Sequence, residues 1–570
     1  MIKKNNLISM LLIIALSTII YANSFKNEFV WDDHFYIEER AAQLNYKNIP
    51  HFLKTDVEGV YRPIREIFYI FSYSLYGQNP LWYHLNGLVL HIINSILIYF
   101  ILINILKNFK ISLMASLLFA AHPIHTEAIT FITTNFDVLG ITFYLASFFF
   151  YLKSFKDDKL KNKTFYLLSL FFALLAFFTF ELTLTLVLII ILYEFVFNKN
   201  ALKKIKNYAP YLIIAVFYLI IRFFVIGIVG RLETDSGNYF FRLLTIFKVL
   251  AKYIYLLIFP INLSTQHDIP IIKSVTEPIF LFSLLFILFL FVIVFIFFRK
   301  NKIILFSFIF FFYSLLPVSN IIPIQRLIAE SYLYLPSLGF VLLISYLLYR
   351  LSNVKKMKVF VIAVFIIILL SYLFLAIQRN KVWKDDLNLW QKTIETSPSS
   401  KAYNNLAIVY EKKRMHDEAI EGYKKSIEIA PRANAYFNLG LLYSKLNKID
   451  DAEYYYKKSL LLGEDAETHN NLGILYSKKG LLKESGEEFQ NAIMLNPSYL
   501  DAYANLGTLY EKQNKYDLAL QEYRKALNIN PDIAIIHYNL GVLYSKIGMS
   551  EKAEEEFYKA SKLDPQFIKR

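Results

Sequence analysis

Apolar runs long enough to cross a bilayer follow one another from Leu7 to about residue 380, and beyond 400 the pattern changes to a short mixed repeat. After the first run, Leu7 to Ala22, come runs at about 84–106, 111–122, 137–152, 164–180, 182–198, 207–229, 277–298, 302–317, 333–350 and 357–377. Some are short for a span, and together they predict about eleven. Every second connection is basic: Lys3-Lys4, Lys107 to Lys110, Lys153 to Lys163, Lys199 to Lys206, Arg299 to Lys302 and Arg350 to Lys358. The opposite connections at 122–136 and around Glu181 carry no Lys or Arg, and 318–332 carries Arg326 alone. Basic loops are retained in the cytoplasm, so the N-terminus reads as cytoplasmic and, with eleven spans, the C-terminus as extracytoplasmic. A further apolar stretch, 243–261, would break this alternation if it crossed. With Arg242, Lys248 and Lys252 it fits an interfacial or re-entrant helix, a twelfth span being the alternative. The first run, preceded by two lysines, also suits a cleaved signal peptide. A retained helix is favoured, because the acidic pair that follows is useful only when tethered at the membrane surface.

Composition agrees with a membrane protein, since 56% hydrophobic residues, 17% aromatics and a mean hydropathy of +0.40 exceed what a soluble core needs. The net charge of +15 would suggest nucleic acid, but residues 400–570 hold 24 Lys and Arg against 24 Asp and Glu. The excess therefore sits in short loops between apolar runs, and no nucleic-acid partner is expected. Cys is absent, which rules out disulfides and thiolate metal sites.

From 400 the chain repeats itself. Asn405-Leu-Ala, Asn438-Leu-Gly, Asn471-Leu-Gly, Asn505-Leu-Gly and Asn539-Leu-Gly recur every 33 or 34 residues, and Pro398, Pro431, Pro497, Pro531 and Pro565 keep the same beat. Tyr403, Leu406, Ala407, Tyr410, Ala419, Tyr423 and Pro431 fall where a tetratricopeptide repeat packs its two helices, the small residue admitting close approach and the proline ending the second helix. The reading is an all-α chain: a multi-span domain at 1–380, a linker and capping helix with Trp383 and Trp390 at 381–399, and a solenoid of five tetratricopeptide repeats at 400–570. A solenoid offers its concave face to a peptide or protein. Asn404, Asn471 and Asn505 are candidates to grip a peptide backbone there.

Polar residues inside the membrane part collect at the extracytoplasmic loops: Phe29-Val-Trp-Asp-Asp-His34, Ala121-His-Pro-Ile-His-Thr-Glu127, Asn135-Phe-Asp137, Glu181, and Arg326 with Glu330. Two adjacent carboxylates, Asp32 and Asp33, among aromatic residues are costly to desolvate unless used or balanced. One of them can act as a general base on a hydroxyl nucleophile, the plainer alternative being a helix cap. For His84 and His91, seven apart on one helix, packing or capping is the expected role. A His122/His125/Glu127 metal site is conceivable by ligand type but is not assigned.

These pieces in order resemble the transmembrane and tetratricopeptide-repeat protein O-mannosyltransferases, a branch of the C-type (GT-C) glycosyltransferases. The resemblance rests on Phe29-Val-Trp-Asp-Asp33, Tyr61-Arg-Pro-Ile64, His84-Leu-Asn-Gly-Leu-Val-Leu-His91, Leu118-Phe-Ala-Ala-His-Pro-Ile-His-Thr-Glu-Ala128, Tyr332-Leu-Tyr-Leu-Pro-Ser-Leu-Gly339 and the repeats. It implies transfer, with inversion, of a sugar (mannose in the family) from a polyprenyl-phosphate carrier to Ser/Thr hydroxyls of an extracytoplasmic protein bound by the repeats. It further implies Asp32 or Asp33 as the base, and His122, His125, Glu127, Asp137, Glu181 and Glu330 around the acceptor and sugar. Arg62, Arg326 and Arg222 would hold the carrier phosphate, guanidinium pairing bidentately with phosphate oxygens. The lipid-linked sugar is the donor; no cofactor is assigned and no divalent metal is expected. Three positions depart from the family: Asn135, Phe180 and Ser331 stand where basic residues are expected, removing positive charge from the pocket. The competing reading is a non-catalytic, membrane-anchored repeat scaffold for protein assembly. A transporter would instead place charged or broken helices at the midplane.

Overall fold

The structure is a computed structural model that describes residues 2–156, 159–160, 162–198, 204–227, 239–267, 269–321, 324 and 326–567. Most of the basic connection expected at 199–206 lies outside the described residues. The chain divides into two units, Met1–Ser397 and Pro398–Arg570.

The first unit is helical throughout apart from a two-residue antiparallel pairing of Phe155–Lys156 with Lys159–Leu160. Its longer helices are α1 (Ile2–Tyr21), α2 (Pro63–Tyr76), α3 (Pro80–Leu106), α4 (Phe109–Ala121), α5 (Ile132–Ser154), α6 (Lys163–Phe177) and α7 (Leu186–Phe197). They continue with α8 (Ile205–Ile226), α9 (Tyr239–Ile258), α10 (Pro278–Phe297), α11 (Lys302–Leu315), α12 (Ser337–Ser352), α13 (Lys358–Val382) and α14 (Asp386–Thr396). Each of the eleven expected apolar runs is helical. Among the described residues, six helices (α1, α3, α5, α8, α10 and α13) are long and apolar enough to cross a membrane, and α4, α6, α11 and α12 are shorter apolar helices. Their boundaries follow from local chemistry: Asn79, Asn108, Asn162 and Asn301 each accept a backbone N–H of the first turn that follows, so polar residues in the connections start the apolar helices.

Two-thirds of the most apolar stretch of α5 is buried, against 17% in α8, α10 and α13. Helix α5 is thus central and the other three present their side chains outward, where only lipid can cover them. Gly87 and Gly339 permit close helix contacts: a Cβ would lie 2.6 Å from the Ile129 carbonyl oxygen at the first and 2.5 Å from that of Ser307 at the second. Both belong to the motifs quoted above, so part of those motifs is packing.

The stretch expected to be interfacial is α9. Tyr239 and Arg242 donate to the Ile321 and Ile324 carbonyls, Lys248 to that of Pro270, and the Tyr253 hydroxyl accepts the Ala329 N–H. Both ends of α9 are therefore tied to the same set of loops.

The second unit is five helix pairs: α15 (Ser400–Lys412) with α16 (His416–Ile429), α17 (Ala433–Lys445) with α18 (Ile449–Leu460), α19 (Ala466–Lys478) with α20 (Leu482–Leu495), α21 (Leu500–Lys512) with α22 (Tyr516–Ile529), and α23 (Ala534–Lys546) with α24 (Ser550–Leu563). The small residue of each signature does what its size suggests: Gly473, Gly507 and Gly541 lie against the rings of Phe489, Tyr523 and Phe557, within 2.7 Å of where a Cβ would stand. The asparagine row is partly spent inside the solenoid. Asn438 donates to Asn404 at 3.1 Å and Asn505 to Asn470 at 2.9 Å, joining successive repeats.

Candidate active site

The acidic pair separates into two environments. Asp33 is fully buried at the start of a helical turn, and its Oδ1 accepts both the Thr133 N–H and the Thr133 hydroxyl at 2.7 Å while Oδ2 accepts the Val30 N–H at 3.2 Å. Burial nevertheless pushes its pKa up to about 7, against the pull of those three bonds. Asp32 is partly exposed, and among the described residues no hydrogen bond reaches it. Its pKa is raised by burial and drawn back by the Arg326 guanidinium. Of the pair, Asp32 has the lone pairs to spare.

Arg326 is fixed rather than loose. Its Nη1 donates to Glu127 Oε1 at 3.2 Å, its Nη2 to the Thr265 carbonyl, and its plane lies 5.4 Å from the Trp31 ring. Glu127, fully buried, also accepts the Glu330 N–H and the Ser331 hydroxyl, both at 3.2 Å. Glu330 in turn takes the Ser264 N–H, His267 Nε2 at 2.9 Å and Arg379 Nη2 at 3.4 Å. Burial raises both carboxyls. The Arg379 guanidinium and His267 outweigh it at Glu330, whose pKa falls, whereas Glu127 stays raised despite Arg326.

A second group is built around Arg62. Arg62 donates through Nη1 to Asp137 at 2.9 Å and through Nε to Glu181 at 2.8 Å, with the Phe180 ring 4.8 Å beneath it. Arg65 meets Asp137 at 3.4 Å and Glu66 at 3.5 Å, and Arg40 donates to Glu66 at 2.7 Å. The result is an alternating line, Arg40, Glu66, Arg65, Asp137, Arg62, Glu181, in which each charge has an opposite neighbour. Glu181 is half-buried, and Arg62 and Arg222 together hold its pKa below the usual value against the effect of burial. Tyr332 is in electrostatic reach of both groups, of Arg326 and Glu127 and of Arg62 and Asp137.

These residues come from the C-terminal ends of α1, α4, α6, α8, α11 and α13, from the N-terminal ends of α2, α5, α7 and α12, and, for Ser264, Thr265 and His267, from the segment between α9 and α10. The loops that the alternating pattern assigns to one side are thus gathered at one end of the bundle. The expected single cluster is resolved into two. His122 and His125 join neither: both are fully buried, with Nε2 of His122 on the Leu257 carbonyl at 3.1 Å and Nε2 of His125 on the Ser337 hydroxyl at 2.8 Å. Burial lowers the pKa of His125 and keeps it neutral. The two histidines close the turn between α4 and α5. His84 and His91 likewise bond backbone carbonyls, of Asn27 and Ala120. Among the described residues no group of three or more His, Asp or Glu side chains could hold a metal.

The three departures from the family have local partners. Ser331 hydrogen-bonds Glu127, Phe180 lies under Arg62, and Asn135 donates to the Tyr83 carbonyl at 3.1 Å. Residues that sequence reading passed over are Tyr332, His267, Arg379, Arg65 and Glu66. Arg65 and Glu66 follow the Tyr61-Arg-Pro motif by one helical turn, which was a usable signal. Arg379 ends an apolar run, where a basic residue is ordinarily a headgroup anchor.

Tetratricopeptide-repeat family models match residues 398–461, 466–499 and 534–567, and a TPR-repeat model matches 510–548. A protein O-mannosyl-transferase of Caenorhabditis elegans is 27% identical over 433 residues, covering 70% of this chain and 60% of its own length. A protein O-mannosyl-transferase of Homo sapiens is 26% identical over 464 residues, covering 73% of this chain and 51% of its own. The chain thus spans about half to three-fifths of the relatives it matches. A crystal structure titled as MamA protein is 27% identical, covering 29% of this chain and 92% of that one with a TM-score of 0.27. The resemblance read from the sequence is borne out: this chain is a relative of the transmembrane and tetratricopeptide-repeat proteins named protein O-mannosyl-transferases.

Proposed function

We propose that this chain is an inverting membrane glycosyltransferase that moves a sugar, mannose by the relatives' names, from a polyprenyl-phosphate carrier to Ser/Thr hydroxyls of a protein held by its repeats. The observation that carries the reading is that Asp32, a carboxylate without hydrogen-bond partners among the described residues, lies in the electrostatic reach of Arg326, a guanidinium held by Glu127 and Thr265. Asp32 takes the proton of the acceptor hydroxyl as its oxygen attacks the anomeric carbon. The bond from that carbon to the phosphate oxygen breaks, and the carrier phosphate leaves with the electron pair. Arg326 meets the charge that develops, with Arg62 as the second cation. Attack opposite the leaving group inverts the anomeric configuration. Asp33 holds the loop, and Asp137 and Glu181 hold Arg62. Glu127 and Glu330 set the position of Arg326.

An apolar cavity of about 760 Å³ supports a lipid-borne donor. It is lined mainly by residues of α9 to α13, among them Leu257, Ile293, Phe311 and Leu375, and reaches Phe259 and Pro260. Five residues on from Pro260 the same loop gives the Thr265 carbonyl that Arg326 holds, so an isoprenoid tail in the cavity would leave its phosphate close to that cation. Each methylene buried there contributes about 0.8 kcal/mol. The orientation consistent with the basic loops puts both the acidic pair and the repeats outside the cytoplasm.

The test is a donor comparison. Purified full chain in detergent is given a Ser/Thr-rich acceptor with either polyprenyl-phosphate mannose or a nucleotide-linked mannose. Transfer from the lipid donor alone is expected. Transfer from the nucleotide sugar alone, or from neither, removes the reading, and the second outcome leaves the repeat scaffold as the remaining one.

A further inference from the structure

Among the described residues no hydrogen bond places the Asp32 side chain, so the backbone on either side of it sets its position. Behind it, Asp33 is fastened to Thr133. Ahead of it, Trp31 sits at φ 54°, in the left-handed region that a bulky residue adopts only when its surroundings impose it. What imposes it is the corner between α13 and α14. The Trp31 N–H donates to Asp386 Oδ1 at 2.8 Å, and the indole stacks on Phe131 at 5.4 Å and meets the edge of Trp390 at 5.2 Å. Asp386 Oδ2 lies 2.9 Å from His34 Nε2, whose other nitrogen is held by Glu38. The same corner takes the Glu28 N–H on the Lys384 carbonyl at 2.9 Å and the Asn27 amide on the Asn380 carbonyl at 3.1 Å.

Local sequence explains why Asp386 is available for this. Its neighbour Asp385 caps α14 by accepting the Asn388 N–H, which leaves the Asp386 carboxylate, one position into the helix, to reach outward. Both of its oxygens are spent on the segment that carries the acidic pair, one on each side of Asp32 and Asp33.

We propose that Asp386 is a positioning residue for the base: it holds Trp31 and His34, and through them aims the Asp32 carboxylate at the acceptor hydroxyl. This rests on the reading of Asp32 as the base. Asp386 touches neither sugar nor carrier, so its loss lowers turnover without altering donor binding. A displacement of about 1 Å at a reacting group costs on the order of a hundredfold in rate.

The test uses the purified full chain with Asp386→Ala and Asp386→Asn, measured two ways. Transfer kinetics should show kcat down roughly tenfold to a hundredfold in Asp386→Ala with donor KM within about twofold, and a smaller loss in Asp386→Asn, which keeps an oxygen for the Trp31 N–H. Amide hydrogen exchange should show the 28–34 segment losing protection in Asp386→Ala while the apolar helices keep theirs. Wild-type kcat in Asp386→Ala, unchanged exchange at 28–34, or donor KM rising together with falling kcat would each overturn the proposal. Wild type that transfers no sugar is a different failure, that of the enzyme reading itself, and the exchange experiment still shows whether Asp386 grips the loop.

Discussion

Replacing Asp33 by asparagine, with Asp32→Asn as the comparison, separates a residue that holds the loop from one that acts. The carboxamide introduced by Asp33→Asn has one oxygen. If that oxygen keeps the two Thr133 bonds at 2.7 Å, the amide nitrogen faces the Val30 N–H across 3.2 Å, donor against donor. One bond is lost and a buried N–H is left without an acceptor, a cost of roughly 1–3 kcal/mol. Asp32→Asn breaks no hydrogen bond within the described residues and should stay within about 0.5 kcal/mol of wild type, while transfer falls by about 10²–10⁴. The pH dependence has a fixed sign. Asp33 keeps its proton to about pH 7 in the folded chain against an ordinary value of 3.8, so the folded state binds the extra proton between these values. Its contribution to stability is complete below the lower value and lost as pH rises through the upper one. A carboxamide does not titrate, so the stability deficit of Asp33→Asn should shrink between about pH 5 and pH 8. Thermal unfolding in detergent, followed by intrinsic fluorescence at both pH values alongside initial rates, reads all of this. An Asp33→Asn variant that melts with wild type while Asp32→Asn melts early would reverse the two roles and refute the reasoning.

Arg326→Gln should abolish transfer and lower stability by about 3–5 kcal/mol, because Glu127 is left buried beside Glu330 without its cation; Arg326→Lys should fall between, and a Gln variant as stable as wild type would contradict the geometry. Gly87→Ala should lower the unfolding midpoint by an amount equivalent to about 1–3 kcal/mol, since its Cβ meets a backbone oxygen that cannot swing away, whereas Gly463→Ala, facing open space, should not. Lys445→Ala removes an exposed partner of Glu411 and should change repeat stability by less than about 1 kcal/mol in a denaturant melt. Transfer should rise with pH along an acid limb lying above the ordinary aspartate value, because Asp32 must be ionised and burial raises it; a rate that is flat across that range would count against Asp32.

Much of the fold was legible because each element had one dominant cause. Apolar runs gave the helices of the first unit, asparagines gave their starts, and the 33–34 residue beat gave the repeats. The basic-loop alternation also anticipated which helix ends meet, and it flagged 243–261 as a stretch that does not fit. The site was only half legible. Residue types in motifs named Asp32, Arg326, Glu127, Arg62 and Asp137, but pairing is decided by which loops touch. Nothing local says that Glu330 faces Arg379 or that the charges sort into two groups. His122 and His125 show the same limit, since nothing local says that their Nε2 atoms meet the Leu257 carbonyl and the Ser337 hydroxyl. Asp32 and Asp33, adjacent in sequence, could not be told apart until Thr133, a hundred residues on, was seen to bond only one of them.

The central claim is that Asp32 activates a hydroxyl against a lipid-linked sugar. The direct measurement is the rate at which purified full chain transfers labelled mannose from polyprenyl-phosphate mannose to a Ser/Thr acceptor, with wild type and Asp32→Asn matched for folding by their melting curves. The account predicts hydroxyl-linked mannose from wild type and a loss of at least about a hundredfold in Asp32→Asn. Undiminished transfer by Asp32→Asn, or none from well-folded wild type, would contradict it.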